Sequence, residues 1–334
     1  MAALPLDVWL NSPVAESASR AAQLRAAGVD GVFTFEGAHD VFLPLALAAG
    51  SGLAIMTNVA IAFPRSPIHL AHAAYDLHAL SGGRFRLGLG SQIRPHIERR
   101  YGSTWSRPVD RLGDTVAAVR EILRAWQTGE QLHYRGEFWQ HTLMPPNFDP
   151  GPNPHGVPPV LVGALGPRMT EMAARVADGL LVMPFNTERH FRERTLAAVD
   201  RGLAESDRPF EIIAEAIVAM GNTERELDAA RRSVRNLLAF YGSTPSYRPV
   251  LEVEGWGDLQ PELNLLSKQG RWREMAGLID DPMVDALTVS GTPAECAALI
   301  RNRYGDRISR VCCYFPGYPV TDAAIAELAT ALHG

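Results

Sequence analysis

Glu36, His39 and His96 are the residues of this 334-residue chain best placed for proton chemistry, because each follows closely on an apolar run. A carboxylate just beyond a strand is a candidate base, and an imidazole beside it a candidate acid near neutral pH. Plainer duties stay open for all three: a helix cap or solvated acid for Glu36, ordinary loop positions for His39 and His96. Small residues suggest a second kind of chemistry. Ser81-Gly82-Gly83-Arg84-Phe85-Arg86-Leu87-Gly88-Leu89-Gly90-Ser91-Gln92 stops a helix with two glycines, runs through a short apolar stretch and leaves it as Gly-Leu-Gly-Ser-Gln. Glycines there let a flat ring or a phosphate touch the backbone. Gly163-Ala164-Leu165-Gly166-Pro167-Arg168 similarly leads an apolar run into a helix. The unpaired N–H groups and dipole of such a helix favour a phosphate, and Arg168 adds a charge; an ordinary strand–helix turn is the alternative.

Other constellations carry less. His69, His72 and His78 share one expected helix, with i,i+3 spacing between the first two, yet no further ligand stands at matching spacing; they read as surface or half-buried histidines and no metal is expected. Gly88-Leu89-Gly90 begins like a dinucleotide fingerprint, but Ile93 stands at the third glycine position, and the segment is a fourth strand rather than a first. No Gly-x-Ser-x-Gly elbow and no P-loop occurs. Arg65, Arg94, Arg99, Arg100, Arg107 and Arg111 gather in the loops after the third and fourth strands. Half of them read as helix-surface charge, and the others can receive an acidic cofactor tail.

Residues so far apart in sequence meet only if the fold brings their loops together. Short apolar runs alternate with amphipathic stretches throughout. Strands are predicted at 6–10, 31–35, 53–61, 85–89, 160–163, 179–183, 211–220 and 308–315, with helices at 15–27, 43–49, 67–80, 108–126, 168–176, 188–203, 223–240, 293–304 and 322–332. Leu112, Val116, Val119, Leu123 and Trp126 have helical spacing, and Thr223 with Glu226 forms a capping box. Eight strand–helix pairs favour a single (β/α)8 TIM barrel over a doubly wound open sheet. Two excursions interrupt the rhythm, at about 130–158 after the fourth helix and 241–290 after the seventh. In a barrel the loops after Glu36, after Thr57-Asn58-Val59-Ala60, after Gly90-Ser91-Gln92 and after Gly163 converge on one mouth.

Composition narrows the function. Apolar residues make up 46%, enough for a large core, and the net charge of −5 is spread along the chain, which argues against a nucleic-acid partner. No apolar run approaches a membrane span, and 1–13 lacks the blocks of a signal peptide, so a cytoplasmic location without a membrane partner is expected. Cys296, Cys312 and Cys313 read as reduced core thiols, with the adjacent pair on opposite faces of a strand.

On these residues the chain resembles the bacterial-luciferase-like superfamily, in particular its coenzyme-F420-dependent oxidoreductases. The anchors are Leu77-His78-Ala79-Leu80-Ser81-Gly82-Gly83-Arg84-Phe85 before Gly88-Leu89-Gly90, Thr57-Asn58-Val59, and Asp178-Gly179. Gly88–Gln92 with His96-Ile97-Glu98-Arg99-Arg100, and Phe240-Tyr241-Gly242-Ser243-Thr244-Pro245, suggest a narrower subfamily. The resemblance implies a commonly dimeric, F420-binding barrel that moves a hydride to or from the deazaflavin and a small-molecule substrate. It implies a non-proline cis peptide at Asn58–Val59 backing the ring. Glu36, Val59, Ala60 and Gly90 would then lie near the ring, Ser91 and Gln92 would contact its side chain, and Gly163, Ala164, Leu165, Gly166 and Arg168 would hold the phosphate. Trp9, Phe35, Phe63, Trp105 and Phe185 are candidate pocket walls or plain core aromatics. The chain also departs from related sugar-phosphate dehydrogenases, with Gly37 where they carry a histidine and Ile93 where they carry a glutamate. His39 and His96 are the substitutes. An FMN-dependent monooxygenase and a non-catalytic cofactor-binding barrel are the alternatives.

Overall fold

The expected alternation closes on itself. The computed structural model describes residues 3–204 and 206–334. Strands β1 (Leu6–Trp9), β2 (Gly31–Thr34), β3 (Ala54–Thr57), β4 (Phe85–Gly90), β5 (Val160–Ala164), β6 (Gly179–Val182), β7 (Glu211–Met220) and β8 (Arg310–Tyr314) pair in parallel in chain order. β8 returns to β1 with Leu6 opposite Val311, so the sheet is a closed (β/α)8 barrel. Around it run α1 (Ser17–Ala26), α2 (Leu43–Ala48), α3 (Pro67–Leu80), α4 (Pro108–Thr128), α5 (Pro167–Val176), α6 (Ala197–Leu203), α7 (Glu224–Gly242), α8 (Pro293–Tyr304) and α9 (Asp322–His333). Local chemistry sets their ends. Pro108 fills the first turn of α4 and left-handed Gly129 closes it, while Thr223 and Glu226 cap α7 reciprocally.

Period-two alternation divides the core. Leu6, Val8, Leu87, Leu89 and Val162 point outward and pack under the helices. Phe33, Met56, Leu161, Leu181, Ile213 and Cys312 form a separate cluster inside the barrel. Cys313 belongs to the outer core, so the adjacent thiols do face opposite ways. At the amino-terminal end of the strands the interior is closed by ion pairs, Arg310 Nε with Asp7 at 2.8 Å and Arg86 Nε with Glu211 at 2.9 Å.

Two expectations need correction. The run 53–61 is not one strand: it breaks after Thr57 and resumes at Ala60–Ile61. The helix expected from Glu188 widens into a π turn at Phe191–Leu196 before α6. The second excursion is largely helical, with Arg248–Val253, Leu259–Lys268, Trp272–Gly277 and Asp281–Leu287, and it ends in the strand Val289–Gly291 on the far end of β7. Its apolar residues, among them Val250, Leu263, Met275 and Val284, form a core of their own against Ile217 and Leu238. The first excursion carries a hairpin, pairing Tyr134 with His141. No helix among the described residues is long and apolar enough to cross a membrane.

Candidate functional site at the barrel mouth

The carboxyl ends of the strands are where barrel enzymes hold their ligands, and here the break after Thr57 shapes that end. The last β3–β4 pair is Met56 with Arg86; beyond it the Thr57 hydroxyl donates to Gly88 O (2.8 Å) and accepts from Gly88 N (2.9 Å). The chain then departs through Asn58 and Val59, whose connecting peptide is cis, and rejoins β4 with Ala60 opposite Leu89. Val59 is thrust against the inner cluster. Two glycines make room for it: a Cβ on Gly90 would stand 2.5 Å from Val59 Cγ2, and one on Gly163 would stand 2.8 Å from Cγ1. At both positions the missing Cβ leaves room for a neighbouring side chain.

Across the mouth, Trp9, Phe35 and Tyr314 stand at the ends of β1, β2 and β8 with ring centroids 4.9–5.8 Å apart. Trp9, Phe35, Asn58, Val59, Gly163 and Tyr314 are all only half-buried, although they point toward the barrel axis. The mouth is open at this level.

One acidic side chain stands beneath this ring. Glu215 lies on β7 with the parity of Ile213, and is 6% exposed. Its Oε2 accepts a hydrogen bond from Asn58 Nδ2 at 2.9 Å. Burial pushes its carboxyl up to about 8, against which the Asn58 bond pulls weakly. Burial first, and then the nearby Glu215, hold Tyr241 and Tyr314 protonated. The sequence reading missed Glu215. The available signal was a lone acid inside the apolar run Ile212–Met220, in step with Ile213 and Ile217.

The residues singled out from sequence fare differently. Glu36 is engaged: Arg65 grips both its oxygens at 2.9 Å, and Ile61 N donates to Oε2 at 2.8 Å. Its side chain is 8% exposed, and it ties the loop after β2 to Ala60–Ile61. His39 is exposed on the loop before α2. His96 is half-buried in the short helix Arg94–Arg99, and its Nδ1 is enclosed without a partner among the described residues, as is the Tyr101 hydroxyl. Ser91 Oγ donates to Gln92 O at 3.2 Å, and Gln92, at φ 59°, accepts from Ile93 N through its own side chain. Ala164 is buried in β5, Leu165 leans on the second excursion, and Gly166 is the extended residue preceding α5, with nothing near the place of a Cβ. Arg94, Arg107 and Arg111 bind Glu98, Glu137 and Thr104 O respectively, whereas Arg99 and Arg168 have no partner among the described residues.

Of the aromatic candidates, only Trp9 and Phe35 reach the mouth. Phe63 is buried in the outer core against Trp105, and Phe185 is wholly enclosed by the second excursion. The helical histidines have other occupations: His69 bonds Ser66, His72 stacks on Trp126, and His78 bonds the carbonyls of Phe85 and His155.

Comparison with known proteins agrees with this architecture. The sequence pattern of the luciferase-like monooxygenase family matches residues 6–310. An uncharacterised protein of Mycobacterium tuberculosis is 47% identical over 92% of each chain. The 5,10-methylenetetrahydromethanopterin reductase of Archaeoglobus fulgidus is 30% identical, over 69% of this chain and 67% of its own. Among solved structures, the coenzyme F420-dependent tetrahydromethanopterin reductase of Methanopyrus kandleri superposes with a TM-score of 0.78, at 18% identity and 98% coverage of both chains. The chain belongs to the luciferase-like monooxygenase family, whose barrels include F420-dependent oxidoreductases.

Proposed function

We propose that this oxidoreductase uses coenzyme F420 and transfers a hydride between the deazaflavin and a small organic substrate at the barrel mouth. The observation that carries the reading is the open apolar ring of Trp9, Phe35, Val59 and Tyr314 above one buried carboxyl, at the strand ends. The fit of a polar cofactor is supported by the enclosed, unpartnered His96 Nδ1 and Tyr101 hydroxyl, since buried polar atoms ordinarily have partners. When bound, the deazaflavin supplies or accepts two electrons and a proton as one hydride.

The chain's own residues supply place and surroundings. Val59 offers the surface on which the flat ring rests. Glu36 and Arg65, locked together, fix the Ala60–Ile61 segment beside it. Ser91 and Gln92 border the cofactor's side chain, and the segment Gly163–Gly166, open at Gly166, receives its phosphate before α5. Arg168 and Arg99, without a partner among the described residues, attract its acidic tail. His96 meets the cofactor's polar groups, and His39 stays at the rim.

The test is a fluorescence titration of the purified protein with F420 and with FMN. Saturable F420 binding that weakens in an Arg168→Ala, Arg99→Ala double variant is expected. Tight FMN binding with no F420 binding would refute the reading in favour of a flavin monooxygenase.

A further inference from the structure

Resting on the hydride-transfer reading above, we propose that Glu215 is the acid that passes a proton to the substrate's oxygen, so that the substrate class is a neutral ketone or aldehyde and its alcohol. The geometry comes first. Glu215 stands one strand step above the filled inner cluster, in line with Ile213, and so forms the floor of the mouth. Its Oε2 is taken by Asn58 Nδ2, whereas Oε1 carries no hydrogen bond from the described residues and is not among the enclosed unpartnered atoms. The barrel below is packed, so Oε1 faces upward into the open mouth. The aromatic ring of Trp9, Phe35 and Tyr314 borders that space.

The neighbours keep the group neutral. Asn58 faces it from the break after β3, Cys312 and Tyr314 from β8 and Tyr241 from α7; Cys313 lies behind β8 in the outer core, and Tyr304 of α8 donates to the Glu215 backbone carbonyl at 3.4 Å. None of these is a cation. With its carboxyl pushed up to about 8, roughly nine in ten molecules hold the proton at pH 7. A floor without positive charge disfavours an anionic substrate and suits a neutral one.

The step balances. In reduction, the hydride's electron pair forms a C–H bond at the carbonyl carbon, and the C=O π pair moves onto oxygen. That oxygen takes the proton of Glu215 Oε1, giving the alcohol. Substrate is reduced by two electrons and the deazaflavin is oxidised by two. The carboxylate left behind keeps its bond from Asn58 Nδ2 and regains a proton from water entering the mouth. Oxidation of the alcohol runs the same path backwards.

Two readouts test this. Infrared spectra of the cofactor-free protein should show a protonated-carboxyl band that survives at pH 7, fades with a midpoint near 8 and is absent from Glu215→Gln. With reduced F420 bound, cyclohexanone, acetophenone and benzaldehyde are the probes. At least one should be reduced, with a rate that falls above pH 8, and Glu215→Gln should lower that rate about 100-fold or more while F420 binding is retained. Should Glu215→Gln not fold, Asn58→Ala serves instead: it removes the bond that favours the carboxylate and should move the infrared midpoint and the alkaline limb to higher pH. Absence of F420 binding sinks the hydride-transfer reading, whereas the infrared band still reports on Glu215 alone. F420 binding with no probe reduced, parental rates in Glu215→Gln, or no neutral-pH band that the substitution removes, each overturns the present inference.

Discussion

Glu215→Gln should make the fold more stable, and by an amount that grows with pH. In the parent chain the folded protein holds the Glu215 proton up to about pH 8, while the unfolded chain releases it near the ordinary 4.5. Below pH 4.5 both states are protonated and the neutral carboxyl's contribution to stability is complete. Between 4.5 and 8 the unfolded state binds fewer protons than the folded one, so stability drains away at about 1.4 kcal/mol per pH unit. Above 8 the loss is finished, at about 4–5 kcal/mol. Gln does not titrate, keeps nearly the same volume and still offers an acceptor to Asn58 Nδ2. The difference in unfolding free energy between variant and parent cancels every other ionisable group. Urea denaturation followed by tryptophan fluorescence at half-unit pH steps measures it. The difference should rise by about 3 kcal/mol from pH 4.5 to 7 and level off beyond 8. A flat difference would show that Glu215 titrates as it does in the unfolded chain. One that falls with pH would mean that the folded protein stabilises the carboxylate, and either result refutes the reasoning.

His190 should produce the opposite limb: burial, and then the nearby Arg194, lower its imidazole to about 4, so stability is complete above 6.5 and is lost as pH falls toward 4. His190→Gln should flatten that acid limb by about 3 kcal/mol in denaturant titrations, and an unchanged limb would reject the assignment. Arg65→Met strands the Glu36 carboxylate, 8% exposed, and should cost about 3 kcal/mol of stability. Pairing it with Glu36→Gln should restore much of that in calorimetry; no recovery would mean that the ion pair is not what matters. Gly90→Ala puts a Cβ 2.5 Å from Val59 Cγ2 and should cost about 1–3 kcal/mol, relieved when Val59→Ala is added. Additive losses in denaturation would show that the contact is not the cause.

The barrel was legible because its signal is periodic. Each stave is a short apolar run, each helix an amphipathic face with a cap, and their alternation leaves few topologies. What escaped depends on contacts between staves. In the run 53–61 only the polar pair Thr57-Asn58 hints at where β3 gives way; the exchange with Gly88 through the Thr57 hydroxyl fixes it once β4 lies alongside. Gly90 and Gly163 were visible as special residues, yet their purpose, space for Val59, is a property of three segments together. Glu36 looked like a free acid because its partner, Arg65, lies in another loop. Phe185 drew notice as an aromatic beyond a strand, but the second excursion folds over it. Glu215 was overlooked for the opposite reason. Its neighbours Ile213 and Ile217 mark the strand so strongly as buried that the one acid among them was absorbed into the pattern.

In the proposed function, the mouth bounded by Val59, Gly163 and the Trp9–Phe35–Tyr314 ring holds the redox ring above Glu215. A crystal structure of the protein with F420 should show density for the tricyclic ring in van der Waals contact with Val59, with Glu215 Oε1 open to the space on its substrate side. A ring bound away from Val59, or a mouth closed by its own side chains with Glu215 sealed beneath them, would contradict it.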